Sequence, residues 1–259
     1  MIELDAVHYA WPDAPPALDG ISLTVREGEK LVLLGANGCG KSTLLKLMNG
    51  LVAPQAGRLL YQGEEVTPAR LKQGAFARRF RSEVVLLFQH PEAMLFNPTV
   101  RDEIAYGPRR LGLPDAEARV ARWAAALRLE ALLDKAPFSL SGGQKQKVAL
   151  AAILALEPRL LLLDEPAANL DPWASGWLVD FLLDCGKTVV TSTHNLSMAT
   201  ELGERALVLG EGGRVLFDGA LTKALRDPAL LETANLVHRH RHRHGSSFEH
   251  AHPHTHDWK

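Results

Sequence analysis

Apolar residues recur along the chain with two periods. Ile21, Leu23 and Val25 in "ISLTVREGE" alternate with polar neighbours, the pattern of a strand with one buried face. "IELDAVHYAW" reads as a strand before it, across the turn "PDAPP". "KLVLLG" and "EVVLLF" are continuous apolar runs, as expected of strands covered on both faces. "RLLLLDEP" and "KTVVTSTH" repeat that form, and "GRLLYQGEEV" reads as one further strand. "RALVLGEGGRVLFDG" predicts a hairpin turning at Gly210 to Gly213. Elsewhere the period is helical. Leu44, Leu45, Leu47 and Met48 form one face of a helix, and Gly50 stands where its C-terminal cap belongs. From about residue 90 to residue 157 the chain is rich in Ala, Leu, Glu and Arg, and Val120, Trp123 and Leu127 predict a helical insertion. Strands alternating with helices predict an α/β fold, a parallel sheet with helices on both faces.

Composition narrows the class without naming it. At 259 residues, 46% hydrophobic and 23% charged, the chain is an ordinary globular protein with room for a large core. A formal net charge of −1 gives no reason to expect nucleic acid as a partner. No apolar run reaches the roughly 18 to 20 residues needed to span a bilayer. The N-terminus lacks the basic and apolar regions of a signal peptide. Two cysteines, Cys39 and Cys185, do not suggest a disulfide framework, so a cytosolic-type protein is expected.

Three short stretches carry candidate chemistry. "GANGCGKST" spans Gly35, Ala36, Asn37, Gly38, Cys39, Gly40, Lys41, Ser42 and Thr43, with a buried strand before it and a helix after it. Glycines at that spacing let backbone N–H groups turn toward phosphate oxygens, Lys41 supplies a point charge for the β and γ phosphates, and the Ser42 hydroxyl suits Mg²⁺. In "LLLLDEP", Asp164 emerges at the C-terminal end of a buried strand, where ligands bind in such sheets. It is a candidate ligand of Mg²⁺, and Glu165 beside it a candidate to polarise a water. An acidic cap on the following turn is the plainer alternative. "SLSGGQKQKV", Ser139 to Val148, places a double glycine at the head of an apolar helix, "VALAAILAL". That is either an anion site built from N-terminal N–H groups or a simple loop.

The phosphate loop, "LSGGQ", "LLLLDEP" and a lone histidine after a strand, in that order, resemble the ATPase subunit of an ATP-binding-cassette (ABC) transporter. The resemblance runs from Ile2 to about Asp227. It implies a P-loop ATPase core of mixed and parallel sheet with flanking helices, an N-terminal antiparallel β subdomain, and a helical subdomain at about residues 90–157. It also implies ATP and Mg²⁺ as ligands. By that resemblance Trp11 stacks on adenine, with Tyr9 as its rival. Gln89 touches Mg²⁺ and the attacking water, His194 contacts the γ-phosphate, and Asp171, after Asn169 and Leu170, reaches the other subunit. Lys41 and Glu165 complete the catalytic set, with Ser42, Gln89 and Asp164 around Mg²⁺. Ser141, Gly142, Gly143 and Gln144 would close over the ATP of a second subunit. Lys147 departs from the pattern, since the family most often has Arg there.

"LLFQHPEAMLFNPTVRDEIAYGP" further resembles the ATPases of energy-coupling-factor importers, which take up vitamins and transition-metal ions. This implies a second ATPase subunit, identical or related, a transmembrane coupling subunit and a substrate-binding membrane subunit. Membrane association at the cytoplasmic face would come through those partners only. A soluble repair or translation ATPase is the competing reading, and a metal-storage protein another.

Residues 1–236 are expected to form the ATPase domain, with 237–259 a flexible tail. Eight of the 11 histidines lie there: His238, His240, His242, His244, His250, His252, His254 and His256. With few large apolar residues the segment is expected to have no fold of its own. It is either a solvated appendage or a chelator of Ni²⁺, Co²⁺, Zn²⁺ or Cu²⁺. With the importer resemblance it favours cobalt or nickel as cargo.

Overall fold

The computed structural model describes residues 1–244 and 248–255, with side chains described through Val237. His256 therefore lies outside the described residues. Twelve strands and ten α-helices follow one another along the described chain.

The first sheet is antiparallel and formed by β1 (Ile2–Ala10), β2 (Pro16–Val25), β4 (Ala56–Tyr61) and β5 (Glu64–Glu65), in the order β2-β1-β4-β5. Ile21, Leu23 and Val25 are buried, as their alternation predicts. "GRLLYQGEEV", expected as a single strand, instead doubles back at Gln62 and Gly63. Both have positive φ, 51° and 77°, the backbone of a two-residue hairpin turn.

The central sheet has six strands, β10-β9-β3-β8-β7-β6. β3 (Lys30–Leu34), β6 (Val84–Leu87), β7 (Leu160–Asp164), β8 (Thr188–Ser192) and β9 (Arg205–Leu209) run parallel, and β10 (Val215–Ala220) is antiparallel at the edge beside β9. Both faces are covered, which explains the unbroken apolar runs. Leu31, Leu33, Leu160 and Leu162 join the core shared with the antiparallel sheet and with α1 (Lys41–Met48). Val32, Leu34, Leu161 and Leu163, the alternate residues of the same strands, join the core on the other face. Helix α1 ends as expected in a left-handed glycine. The Gly50 N–H donates to Leu47 O and the Leu51 N–H to Lys46 O, the paired bonds of a Schellman motif.

Between β5 and β6 lie two short helices absent from the pattern reading, α2 (Pro68–Lys72) and α3 (Gly74–Glu83). The expected insertion contains α4 (Val100–Leu111), α5 (Ala116–Leu127) and α6 (Gly142–Leu154). Val120, Trp123 and Leu127 are buried in the core that also holds Val148 and Leu154 of α6. α7 (Pro172–Asp184), α8 (Leu196–Leu202), α9 (Leu221–Leu225) and α10 (Pro228–Thr233) complete the helices.

β11 (Val237–His244) and β12 (Phe248–Thr255) pair as a two-stranded antiparallel ribbon separate from the other sheets. Its residue-by-residue alternation of His with other residues has the period of a pleated strand. Leu236 and Val237, both buried in the core, anchor its base.

Candidate active site

The phosphate loop connects β3 to α1 at the C-terminal end of the parallel sheet. Gly35 and Gly40 have φ of 148° and 107°, and a Cβ on either would lie 2.5 Å from Leu209 O or 2.3 Å from Ala17 O. Only glycine satisfies both the backbone and the space at these two positions. The helix begins on Gly40 with no side-chain cap, so its first N–H groups face the loop. Lys41 is buried, and its ammonium donates to Gly35 O at 2.6 Å and Ala36 O at 3.0 Å. Cys39 packs beneath the loop, and burial pushes its thiol pKa up against the opposing charge of Lys41.

A cavity of about 370 Å³ opens over this loop, lined by Trp11, Ala17, Asn37, Gly38, Gly40, Lys41, Ser42, Thr43, Gln89, Asp164 and Glu165. Of the two aromatic rivals, Trp11 lines it and Tyr9 does not; Tyr9 packs edge-on against Trp11 at 5.1 Å. Trp11 Nε1 donates to Thr43 Oγ1 at 3.3 Å. Gln89, two residues past β6, reaches the same space from the far edge of the sheet. Ser42, Gln89 and Asp164 contribute a hydroxyl, an amide and a carboxylate, an all-oxygen set of the hard kind that suits Mg²⁺ and not a soft metal.

The Asp164 carboxylate and the Glu165 backbone are held by one residue that pattern reading missed. Ser192, the last residue of β8, stands in register with Asp164, and its hydroxyl donates to Asp164 Oδ1 at 2.6 Å. The Glu165 N–H donates to Ser192 Oγ at 3.1 Å and to Ser192 O at 3.3 Å. These bonds hold Glu165 at φ 47°, a left-handed conformation uncommon outside glycine. His194 is not among the residues that line the cavity, but its Nδ1 lies 2.8 Å from Oε1 of Glu165, which is. An Nδ1–H facing the carboxylate leaves Nε2 turned away from it. The polar run Thr191-Ser192-Thr193 at the end of a buried parallel strand was the available signal.

The second glycine turn is elsewhere. Ser141 N-caps α6 in a capping box: its hydroxyl accepts from the Gln144 N–H at 3.3 Å, and Gln144 Oε1 accepts from the Ser141 N–H at 3.0 Å. None of Ser141, Gly142, Gly143 and Gln144 lines the cavity, and neither does Asp171. Asp171 caps α7 and accepts from Lys147 Nζ at 2.7 Å. That hydrogen bond, with a further one from the Ala174 N–H, holds its carboxyl below the usual range. Gln146, also missed, is fully buried and donates through Nε2 to Pro166 O at 3.0 Å. It ties the head of α6 to the segment that follows Glu165.

A phosphate loop and strand-end carboxylates on a parallel sheet, one of them paired with a histidine, define a P-loop ATPase. Residues 18–168 match the ABC transporter family, and the chain belongs to that family as an ATP-binding ATPase. It is similar to the nickel import ATP-binding protein NikO of Rhodobacter capsulatus, 42% identical over 243 residues, covering 91% of this chain and 95% of that protein. It is similar also to the energy-coupling factor transporter ATP-binding protein EcfA of Methanothermobacter thermautotrophicus, 38% identical over 241 residues, covering 91% of this chain and 76% of that one. Among solved structures, the dimeric ATP-binding cassette MJ0796 in a post-hydrolysis state with ADP and Pi superposes with a TM-score of 0.74. That match has 25% identity and covers 85% of this chain and 99% of that one. No helix among the described residues is long and apolar enough to cross a membrane.

Proposed function

We propose that the chain is the ATP-hydrolysing subunit of an energy-coupling-factor importer whose cargo is a transition-metal ion, cobalt or nickel. The observation that carries hydrolysis is that Glu165, paired with His194, lines a cavity together with Lys41 and Asp164. In this reading residues 35–43 bind the phosphates and Trp11 covers the adenine. Ser42, Gln89 and Asp164 hold Mg²⁺, which when bound supplies positive charge beside the phosphates. Glu165 orients and deprotonates the attacking water, while Lys41 and His194 stabilise charge on the transferring phosphoryl group. Ser141–Gln144 and Asp171 serve the nucleotide held by a second ATPase subunit, and loss of phosphate loosens the pair.

Transport and cargo rest on other support. The names of the NikO and EcfA relatives point to import, and NikO to nickel. Phe96 and Tyr106, in the segment that resembles energy-coupling-factor ATPases, form an exposed edge-to-face pair 4.9 Å apart, an apolar surface suited to a transmembrane coupling subunit. Attachment to the cytoplasmic face of the membrane then comes through that subunit and a substrate-binding one.

Glu165→Gln is expected to lower hydrolysis by about 10²- to 10⁴-fold while an ATP-bound dimer accumulates on gel filtration. Full turnover in that variant would remove Glu165 as the base. Cargo is tested by reconstitution with a transmembrane coupling subunit and a substrate-binding membrane subunit in vesicles. ATP-driven uptake of nickel or cobalt is the expected result, and uptake of a vitamin alone overturns the metal assignment.

A further inference from the structure

Helix α6 buries Leu150 and Ile153 in the core, and Gln146 stands one turn before them on the same face. The spacing calls for an apolar residue there, yet the side chain is an amide, fully buried. Its Nε2 donates to Pro166 O at 3.0 Å, and its Oε1 is buried with no partner. Leaving a buried acceptor unpaired carries a desolvation cost, so packing alone does not account for the amide. We propose that Gln146 is a positioning residue for hydrolysis: through Pro166 it fixes the backbone that carries Glu165. The inference rests on Glu165 as the base.

Glu165 needs such support. Its φ is 47°, whereas a residue that precedes proline, as Glu165 precedes Pro166, prefers extended backbone. Backbone of that kind persists only where its surroundings hold it. On one side the Glu165 N–H donates to Ser192 Oγ and Ser192 O. On the other, Pro166 O accepts from Gln146; a carbonyl can only accept, so the amide nitrogen must face it. The two clamps come from different parts of the chain, β8 of the central sheet and α6 of the insertion. The head of α6 meets the same segment twice more. Lys147 Nζ donates to Asp171 Oδ2 at 2.7 Å, and a Cβ on Gly143 would stand 2.8 Å from Asn169 O. Of these three α6 residues Gln146 alone is fully buried, where water does not compete for its hydrogen bond. Neither Gln146 nor Pro166 lines the ATP cavity. Gln146 therefore acts on where the base sits and not on how the nucleotide is held. A misplacement of about 1 Å at a reacting group costs on the order of 10²-fold in rate.

Gln146→Met keeps the length of the side chain and removes both the donor and the unpaired oxygen. In full-length protein whose folding is confirmed by circular dichroism, kcat is expected to fall about ten- to hundredfold. KM for ATP is expected to stay within about twofold of wild type. The decisive comparison places the same substitution in the Glu165→Gln protein, with residual hydrolysis followed by single-turnover assay on labelled ATP. A residue that acts through Glu165 costs less than about twofold there, because the two losses do not add. A structural defect lowers both backgrounds alike, and that equal loss would overturn the role, as would wild-type kcat in Gln146→Met. Gln146→Glu supplies an independent reading if methionine disturbs folding. Its protonated carboxyl can donate to Pro166 O and its ionised form cannot, so its kcat relative to wild type should rise as pH falls. A ratio that does not change with pH counts against the hydrogen bond. Full turnover in Glu165→Gln alone would remove the base and this role with it. Impaired Glu165→Gln beside unimpaired Gln146→Met would overturn this role only.

Discussion

Two glycine turns in this molecule each run into the head of a helix, and they are built in opposite ways. The turn before α1 leaves its helix uncapped, buries Lys41, and wedges Gly35 and Gly40 against neighbouring carbonyls. It sits beside Asp164 and Glu165 in a concave cavity. The turn before α6 satisfies two of its own donors through the Ser141–Gln144 box, and a Cβ on Gly142 would meet nothing within 4 Å. Its flank is solvent. Both have the N–H groups and positive helix end that attract anions, yet only the first is enclosed. Donors at a helix head make a binding site when a second wall excludes water around the ligand. For the turn before α6 that wall is missing among the described residues, so a second subunit is the natural supplier.

Gly142→Ala tests this contrast most strongly. Since the new methyl group has open space and alanine limits the unfolded chain, stability should hold or rise by about 0.4–1 kcal/mol. Hydrolysis should nevertheless fall by about tenfold or more if, as proposed, this turn closes over a second subunit's nucleotide, which the methyl group would then meet. Wild-type activity together with wild-type stability would show that nothing approaches this turn. Gly143→Ala is a useful companion, since its Cβ would lie 2.8 Å from Asn169 O and must also displace the segment leading to Asp171. A smaller effect concerns concentration. If the α6 turn completes its partner's site, the rate per molecule rises with protein concentration wherever monomers convert to dimers. A rate per molecule that stays constant across that range would mean that one chain suffices.

How much of this could be read from the residues depends on range. The β3 run, the loop from Gly35 to Thr43 and "LLLLDEP" were legible because spacing within ten residues dictates them. The hairpin at Gln62-Gly63 was missed although local, since glutamine rarely advertises a positive φ. Ser192 and Gln146 were missed for a different reason. Ser192 acts on Asp164 and Glu165 from a neighbouring strand, and Gln146 on Pro166 from a helix in the insertion. Nothing in a linear reading records which strands are neighbours. The ribbon shows both limits at once, for its two-residue period was visible while the register opposing His240 to His252 was not.

The smallest expected effect tests how the α6 head is joined to the α7 cap. Lys147 Nζ donates to Asp171 at 2.7 Å and lies 5.2 Å from the centre of the Trp173 ring, which Arg128 also faces at 3.8 Å. The hydrogen bond from Lys147, more than the one from the Ala174 N–H, holds the Asp171 carboxyl below its ordinary range. A carboxyl with a lowered folded-state pKa adds stability above its unfolded value, near 3.9, and loses it as pH falls through the lowered one. Lys147→Ala should therefore melt slightly below wild type at neutral pH, by the small amount typical of an exposed ion pair. The difference should fade once the medium is acidic enough to protonate Asp171 in both proteins. Lys147→Arg should keep the neutral-pH melting point, because the charge is retained. A gap between wild type and Lys147→Ala that persists unchanged into acid would mean that Lys147 acts through its stacking on Trp173 and not through Asp171.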